Sequence, residues 1–191
     1  MLMQVSKLLA LAFAASGVDD DGSAPLNGGS LVRYQLKLLA AMQWEASTLG
    51  KDFITVLATE AATGELAGVA NLSPGLALAD APGHPAQSPG VAAACISNMA
   101  VAEAHRRRGL GRRLLAACER ASRDAYEPPA SLLGLAVYRS NEPAIALYEG
   151  SGFRVDDSWV DPRWAESAER GRVTFGRRQL MLKQLDGAGS Q

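Results

Sequence analysis

The run Arg106-Arg107-Arg108-Gly109-Leu110-Gly111-Arg112-Arg113 concentrates more chemistry than any other stretch of this chain. Its arginines carry charge that does not titrate near neutral pH. Its glycines let another group come close to the backbone. It follows an apolar stretch, Ile96-Ser97-Asn98-Met99-Ala100-Val101, and leads into a helical pattern. A strand that enters such a turn and then a helix leaves the first helical amides unpaired, at the positive end of the helix dipole. That arrangement can hold a pyrophosphate. There is no Gly-x-x-x-x-Gly-Lys-Ser/Thr run, and Gly109 and Gly111 lack the third glycine of a Gly-x-Gly-x-x-Gly turn. The competing reading is a solvated basic turn, or a patch for nucleic acid or localisation. A formal net charge of −1 over 191 residues counts against bulk nucleic-acid binding.

A second segment bears on the same question. Leu132 to Tyr138 is an apolar strand pattern, and Asn141-Glu142-Pro143-Ala144-Ile145-Ala146-Leu147-Tyr148 follows it, closed by Gly150-Ser151-Gly152-Phe153. Asn141 is suited to cap a helix, and Pro143 is tolerated in a first helical turn. Ala144, Leu147 and Tyr148 recur at helical spacing, and the glycines stop the helix. Taken alone, Tyr148 is a core tyrosine with a satisfied hydroxyl.

The pattern Arg106-x-x-Gly109-x-Gly111, with Asn141, Ala144, Leu147-Tyr148 and Gly152-Phe153 some thirty residues beyond it, resembles the two signatures of the GNAT superfamily of N-acetyltransferases. The resemblance spans Val5 to Leu185. The wording Ile96-Ser97-Asn98 before the loop is most similar to the plant and algal plastid branch. It implies a plastid address, or otherwise a cytoplasmic one.

The resemblance implies an enzyme that moves an acetyl group from acetyl-CoA to a primary amine by direct attack. The acceptor would be a protein N-terminal α-amine, a lysine ε-amine, or both. The backbone of Met99, Ala100 and Val101 would pair with the pantetheine arm. Arg106, Arg107, Arg108, Gly109, Leu110, Gly111 and Arg112 would form the pyrophosphate loop, and Asn141, Glu142, Pro143 and Ala144 the far side of the arm. The amide of Met99 would serve the oxyanion. Tyr148 would be the general acid for the leaving thiolate, with Tyr138 as the alternative. Many relatives carry a glutamate on or near the strand before the loop, whereas residues 91–101 hold no carboxylate. Glu60, Glu65, Asp156 and Asp157 are candidates by coarse topology, and a water relay through Ser97 is another route. Without a strong base an α-amine, of pKa about 7.7–8.0, is an easier acceptor than a lysine at about 10.4. The alternatives are a small amine metabolite as acceptor, and an acyl-CoA sensor without catalysis.

The elements that must position these residues follow from composition and periodicity. A chain of 191 residues, 48% hydrophobic and 20% charged, suits one globular domain, 1–191. Cys95 and Cys118 are small apolar residues of a predicted strand and helix, and His84 and His105 are too far apart to suggest a metal, so no metal is expected. No run approaches the roughly 20 apolar residues of a membrane span. Lys7 and the apolar run after it could pass for a signal sequence with Ala12-x-Ala14 as cleavage site. Export would separate the enzyme from acetyl-CoA, however, and Val5, Leu8, Leu9, Ala12 and Phe13 have helical spacing. The family fold begins with a strand, so either that strand is absent or the start is truncated.

A second helix spans Leu31 to Leu49 and should border the acceptor side. Phe53–Thr59 and Leu66–Leu72 form a hairpin about Thr63-Gly64. Ser73 to Gly90, rich in proline and glycine, is a long exposed loop. Strands at 92–101 and 132–138 flank a helix that ends near Ala125, and should run parallel. Phe153–Val160 and Gly176–Leu185 complete the strands. The loop 161–175 offers Asp161, Glu166 and Glu169 to a cationic amine, and Trp159 and Trp164 either wall a peptide groove or close an apolar edge. The fold class is α/β, of the mixed α+β kind: a mixed sheet with helices on both faces. Its ligand should lie beyond the carboxyl ends of the parallel strands.

Overall fold

A computed structural model describes residues 1–15, 28–75, 84–162, 165–166 and 177–185. Two helices come first, α1 (Leu2–Ala15) and α2 (Gly28–Leu49), so the chain enters its sheet only at β1. The hairpin β1 (Ile54–Thr59) and β2 (Leu66–Pro74) leads to β3 (Ala93–Val101), α3 (Leu110–Asp124), β4 (Leu132–Tyr138), α4 (Glu142–Glu149), β5 (Arg154–Val155) and β6 (Arg178–Gln184). The six strands form one mixed sheet in the order β1-β2-β3-β4-β6-β5.

Side-chain alternation decides which helix covers which face. On β2, Val69 packs with Val5 and Leu9 of α1 and Met42 of α2, whereas Ala70 and Leu72 pack with Leu115 and Cys118 of α3. Helices therefore cover both faces, as the patterning predicts. The largest cluster, which includes Ile96, Leu133, Leu135, Phe153 and Met181, also receives Ala144, Ile145, Leu147 and Tyr148 of α4.

Two irregularities in β3 shape the site. Val69 pairs with Ala100, but Asn71 pairs with Ser97, so β3 carries one more residue than β2 between these points. The extra residue is accommodated by a bulge at Asn98, whose φ is 49°. The second irregularity lies on the other edge. β3 and β4 run parallel, as expected, but they pair only at Ala93–Leu132, Ala94–Leu133 and Cys95–Gly134. Beyond Cys95 the strands part, while β4 stays paired with β6 through Tyr138–Arg178.

Three expectations are corrected. The strand expected at Phe153–Val160 is only Arg154–Val155, because the Asp156 carboxylate accepts from the Ser158 amide (3.0 Å) and hydroxyl (2.6 Å) and turns the chain away. The expected exposed loop is exposed at Gln87 to Gly90 but is anchored at two buried residues before them: His84 is 6% exposed and Ala86 7%. His84 Nδ1 accepts from the Ala86 amide, and its Nε2 lies 2.5 Å from Asp156, so the imidazole ties this segment to the turn that follows β5. Asp161, expected to face an amine, is buried and accepts from the Arg178 guanidinium and backbone amide. Trp159 closes an apolar cluster with Ala86, Leu132 and Leu180. Trp164 and Glu169 lie outside the described residues.

Candidate active site

The cleft begins where β3 loses β4. Among the described residues, Met99, Ala100 and Val101 present a strand edge with no neighbouring strand on the β4 side. The chain then makes a single 3-10 turn, Glu103–His105, and Arg106 folds back so that its Nε donates to the Val101 carbonyl at 3.1 Å. Arg107 (φ 60°) and Gly109 (φ 77°) both take left-handed conformations, which aim the following amides outward. α3 starts at Leu110 with Gly109 at its N-cap and no side-chain cap. The first bond of the helical ladder runs from the Arg113 amide to the Gly109 carbonyl. Among the described residues, the amides of Arg107 to Arg112 donate to no backbone carbonyl. This is the open positive end of a helix.

The opposite wall is the start of α4. Asn141 caps it by accepting from the Ala144 amide at 3.3 Å, and Pro143 sits in the first turn. α3 and α4 approach closely at Gly111, where a Cβ would lie 2.9 Å from Leu147 Cδ2 and 3.7 Å from Met99 Cε. Only a glycine leaves that gap unfilled.

These walls enclose a cavity of about 780 Å³, within the roughly 300–1,000 Å³ range of small-molecule sites. It brings together Met99, Ala100, Val101, Arg106, Arg107, Gly109, Leu110, Gly111, Arg112, Asn141, Pro143, Ala144 and Tyr148. Arg108 and Glu142 are exposed and do not line it. Ala12, His105, Ser140, Ala146 and Leu147 line it as well. His105, Ser140, Ala146 and Leu147 adjoin the motifs and could have been included from the sequence. Ala12 comes from α1, and nothing in its local sequence marks it. Among the described residues no lining residue is a carboxylate and three arginines face the cavity, so it suits an anion.

Tyr148 packs edge-on against Phe153, with ring centroids 6.1 Å apart. Burial, with a smaller contribution from Cys118, pushes its hydroxyl up to about 12, so it stays protonated at neutral pH. Of the sequence-derived candidates for a base, Glu60 accepts from Thr63 in the β1–β2 turn, and Asp156 is engaged by His84 and Ser158. None of Glu60, Glu65, Asp156 and Asp157 lines the cavity.

The acetyltransferase (GNAT) family pattern matches residues 30–153. No curated protein matches the chain. Among solved structures, it is similar to PaiA N-acetyltransferase from Thermoplasma acidophilum in complex with coenzyme A (TM-score 0.60, 16% identity, covering 96% of this chain and 92% of that one). It is also similar to a ribosomal-protein-alanine N-acetyltransferase from Brucella melitensis (TM-score 0.59, 19% identity, covering 97% and 96%). A third is Arabidopsis thaliana NAA60 with a bisubstrate analogue (TM-score 0.53, 18% identity, covering 76% and 83%). At these identities the structures speak for the fold, and the sequence pattern speaks for the family. The splayed strands, the open helix terminus and the family match agree: this chain belongs to the acetyltransferase (GNAT) family and is an N-acetyltransferase.

Proposed function

We propose that the enzyme transfers the acetyl group of acetyl-CoA to a primary amine of a protein or peptide, with the N-terminal α-amine preferred. One observation carries the reading of the cavity as the acetyl-CoA site. The unpaired β3 edge at Met99–Val101 runs directly into uncapped amides at the start of α3, within one cavity. An extended amide-bearing arm that ends in a pyrophosphate matches that sequence of donors.

Acetyl-CoA supplies an activated thioester, and the protein's part is placement and charge. The backbone of Met99, Ala100 and Val101 pairs with the arm as an added strand. The amides of Arg107 to Arg112, helped by the Arg106, Arg107 and Arg112 side chains, hold the pyrophosphate. Asn141 uses its oxygen as a cap and keeps Nδ2 for the arm, beside Pro143 and Ala144. The Met99 amide, next to the Asn98 bulge, donates to the acetyl oxygen as it gains charge. The Tyr148 hydroxyl donates to the departing sulfur. With that hydroxyl near 12, full transfer of its proton to a thiolate of ordinary basicity is uphill by roughly 5 kcal/mol. Tyr148 therefore acts first as a hydrogen-bond donor, and gives up its proton only as the ammonium proton replaces it.

The acceptor preference rests on protonation. At pH 8 about half of an α-amine is neutral, against well under 1% of a lysine. The wording Ile96-Ser97-Asn98 extends the proposal to a plastid enzyme, which a fluorescent fusion of the gene product tests. Labelled acetyl-CoA, offered with a library of N-terminal and lysine peptides beside Tyr148→Phe, tests the function. Acetylated α-amines and a rate loss of about 10²-fold in the variant support it. Preferential lysine modification at pH 7.5 refutes the acceptor preference. Coenzyme A binding without any peptide product favours a small amine acceptor or a sensor instead.

A further inference from the structure

α1, α2, β1, β2, β3 and β4 together build the α1/α2 face of the sheet, and their sequences contain one acidic residue, Glu45 of α2. Glu45 lies one helical turn beyond Met42, which is fully buried against Val5, Leu9, Val69 and Ala100. The two residues share the helix face that looks onto the sheet. Glu45 Oε2 is sealed from solvent and has no hydrogen-bond partner among the described residues. Its charge is felt by the Cys95 thiol, whose side chain alternates with Ala94 and Ile96 and so lies on the same face. Cys95 is also the last β3 residue paired with β4. The carboxylate therefore lies on the side of the sheet that Cys95 faces, towards the end where the two strands begin to part.

A second unsatisfied group lies beside this path. Asn71 is 0% exposed, and neither its Oδ1 nor its Nδ2 has a partner among the described residues. It shares the face of Val69 and sits opposite Ser97, at the bulge that precedes Met99. A buried amide with both ends unmet costs free energy unless something polar meets it. Glu45, Asn71 and Ser97 thus mark a polar track towards the Met99 amide.

We propose that Glu45 accepts the proton released by the acceptor amine, through water bridged along Asn71 and Ser97. This rests on the reading of the cavity as the acetyl-CoA site. Cys95 precedes Met99 by four residues, roughly 10–13 Å along a strand, which is too far for direct transfer and takes about three or four bridging oxygens at hydrogen-bond spacing, the Ser97 hydroxyl among them. One ammonium N–H bond breaks, and its proton passes to Glu45. The nitrogen lone pair forms the C–N bond to the acetyl carbon, the C–S bond breaks, and a second nitrogen proton ends on the sulfur. Glu45 then returns its proton to solvent. Burial raises the Glu45 pKa, which brings it towards that of an α-ammonium. A carboxylate accepts from an α-ammonium about 300-fold more readily than from a lysine, in line with the proposed acceptor. The titratable group that faces Glu45 from the sheet is Cys95, pushed up to about 12 and neutral throughout. β2, β3 and β4 carry no charged residue, α1 carries only the exposed Lys7, and α2 has none within a turn of Glu45.

The test is the pH dependence of kcat/KM on the best peptide acceptor for the native enzyme, Glu45→Gln and Glu45→Ala, with coenzyme A affinity and melting temperature measured alongside. A loss of about 10²-fold or more in Glu45→Gln is expected, with coenzyme A affinity and melting unchanged. Partial recovery of Glu45→Ala by added formate is expected too, which a purely structural role would not give. If the native enzyme acetylates peptides and Glu45→Gln keeps kcat/KM within about threefold at every pH, the proposal falls while the function stands. If the native enzyme acetylates no amine at all, both fall.

Discussion

Gly109 and Gly111 belong to one motif but are glycines for different reasons, so alanine should separate them. At Gly109 a Cβ would meet nothing within 4 Å, and the backbone sits at φ 77°. The cost of Gly109→Ala is therefore purely conformational, about 1–2 kcal/mol. For a chain of this size that corresponds to a melting temperature lower by roughly 2–8 °C. Relaxing the strain would rotate the amides that follow, so coenzyme A affinity should fall as well. Gly109→Asn should recover most of both losses, because asparagine visits the left-handed region readily. At Gly111 a Cβ would lie 2.9 Å from Leu147 Cδ2, the end of a flexible side chain. Alanine there gains up to about 1 kcal/mol of helix propensity and spends it on moving Leu147. Gly111→Ala should melt close to the native protein yet bind coenzyme A more weakly, because Leu147 and Met99 line the cavity. Thermal melts and calorimetric titration with coenzyme A read both quantities. If Gly109→Ala melts like the native protein, or Gly109→Asn is as damaged as Gly109→Ala, the left-handed turn is not what the glycine is for.

Three further outcomes follow from the packing. Asp161→Ala removes a buried ion-pair partner of Arg178, and because Asp161 is 1% exposed the loss should be about 3–5 kcal/mol, read as a lower urea midpoint. For Asp156, burial alone would raise the pKa, but hydrogen bonds from Ser158 and His84 outweigh it and hold the carboxyl below the usual range. Such a group adds stability above its unfolded pKa, about 3.9, and loses it as pH falls through the lower folded value. The urea midpoint of the native protein should therefore fall more steeply below about pH 4 than that of Asp156→Asn, and parallel curves would contradict the assignment. Burial pushes both Cys95 and Cys118 up to about 12, so neither should react with a thiol reagent at pH 8 until urea unfolds the chain.

Much of the site was legible because its signals are local. An apolar strand, two glycines around a helix start, and Asn141 with Pro143 at the next helix start each act within a few residues, and the structure brings them to one cavity. The parallel relation of β3 and β4 followed from the helix between them. What escaped depends on distant partners. Nothing in Ile96-Ser97-Asn98-Met99 marks a bulge, because asparagine takes φ 49° without a glycine to announce it. Glu45 reads as a surface acid of an amphipathic helix until the sheet beneath it is known. His84 sits in a segment whose prolines and glycines suggest exposure, yet its imidazole is buried by a hydrogen bond to a residue 72 positions away. Asp161 looked available to an amine until Arg178, on the last strand, claimed it.

Acetyl transfer itself is the most direct test of the central claim. The native enzyme, acetyl-CoA and a peptide with a free α-amine are incubated at about pH 8, near the α-amine pKa, with released thiol and acetylated peptide followed together. The account predicts that the two rise in equal amounts, and that Gly111→Val, which fills the gap between α3 and α4, abolishes both. Thiol release without peptide acetylation would contradict it, as would full activity in the filled variant.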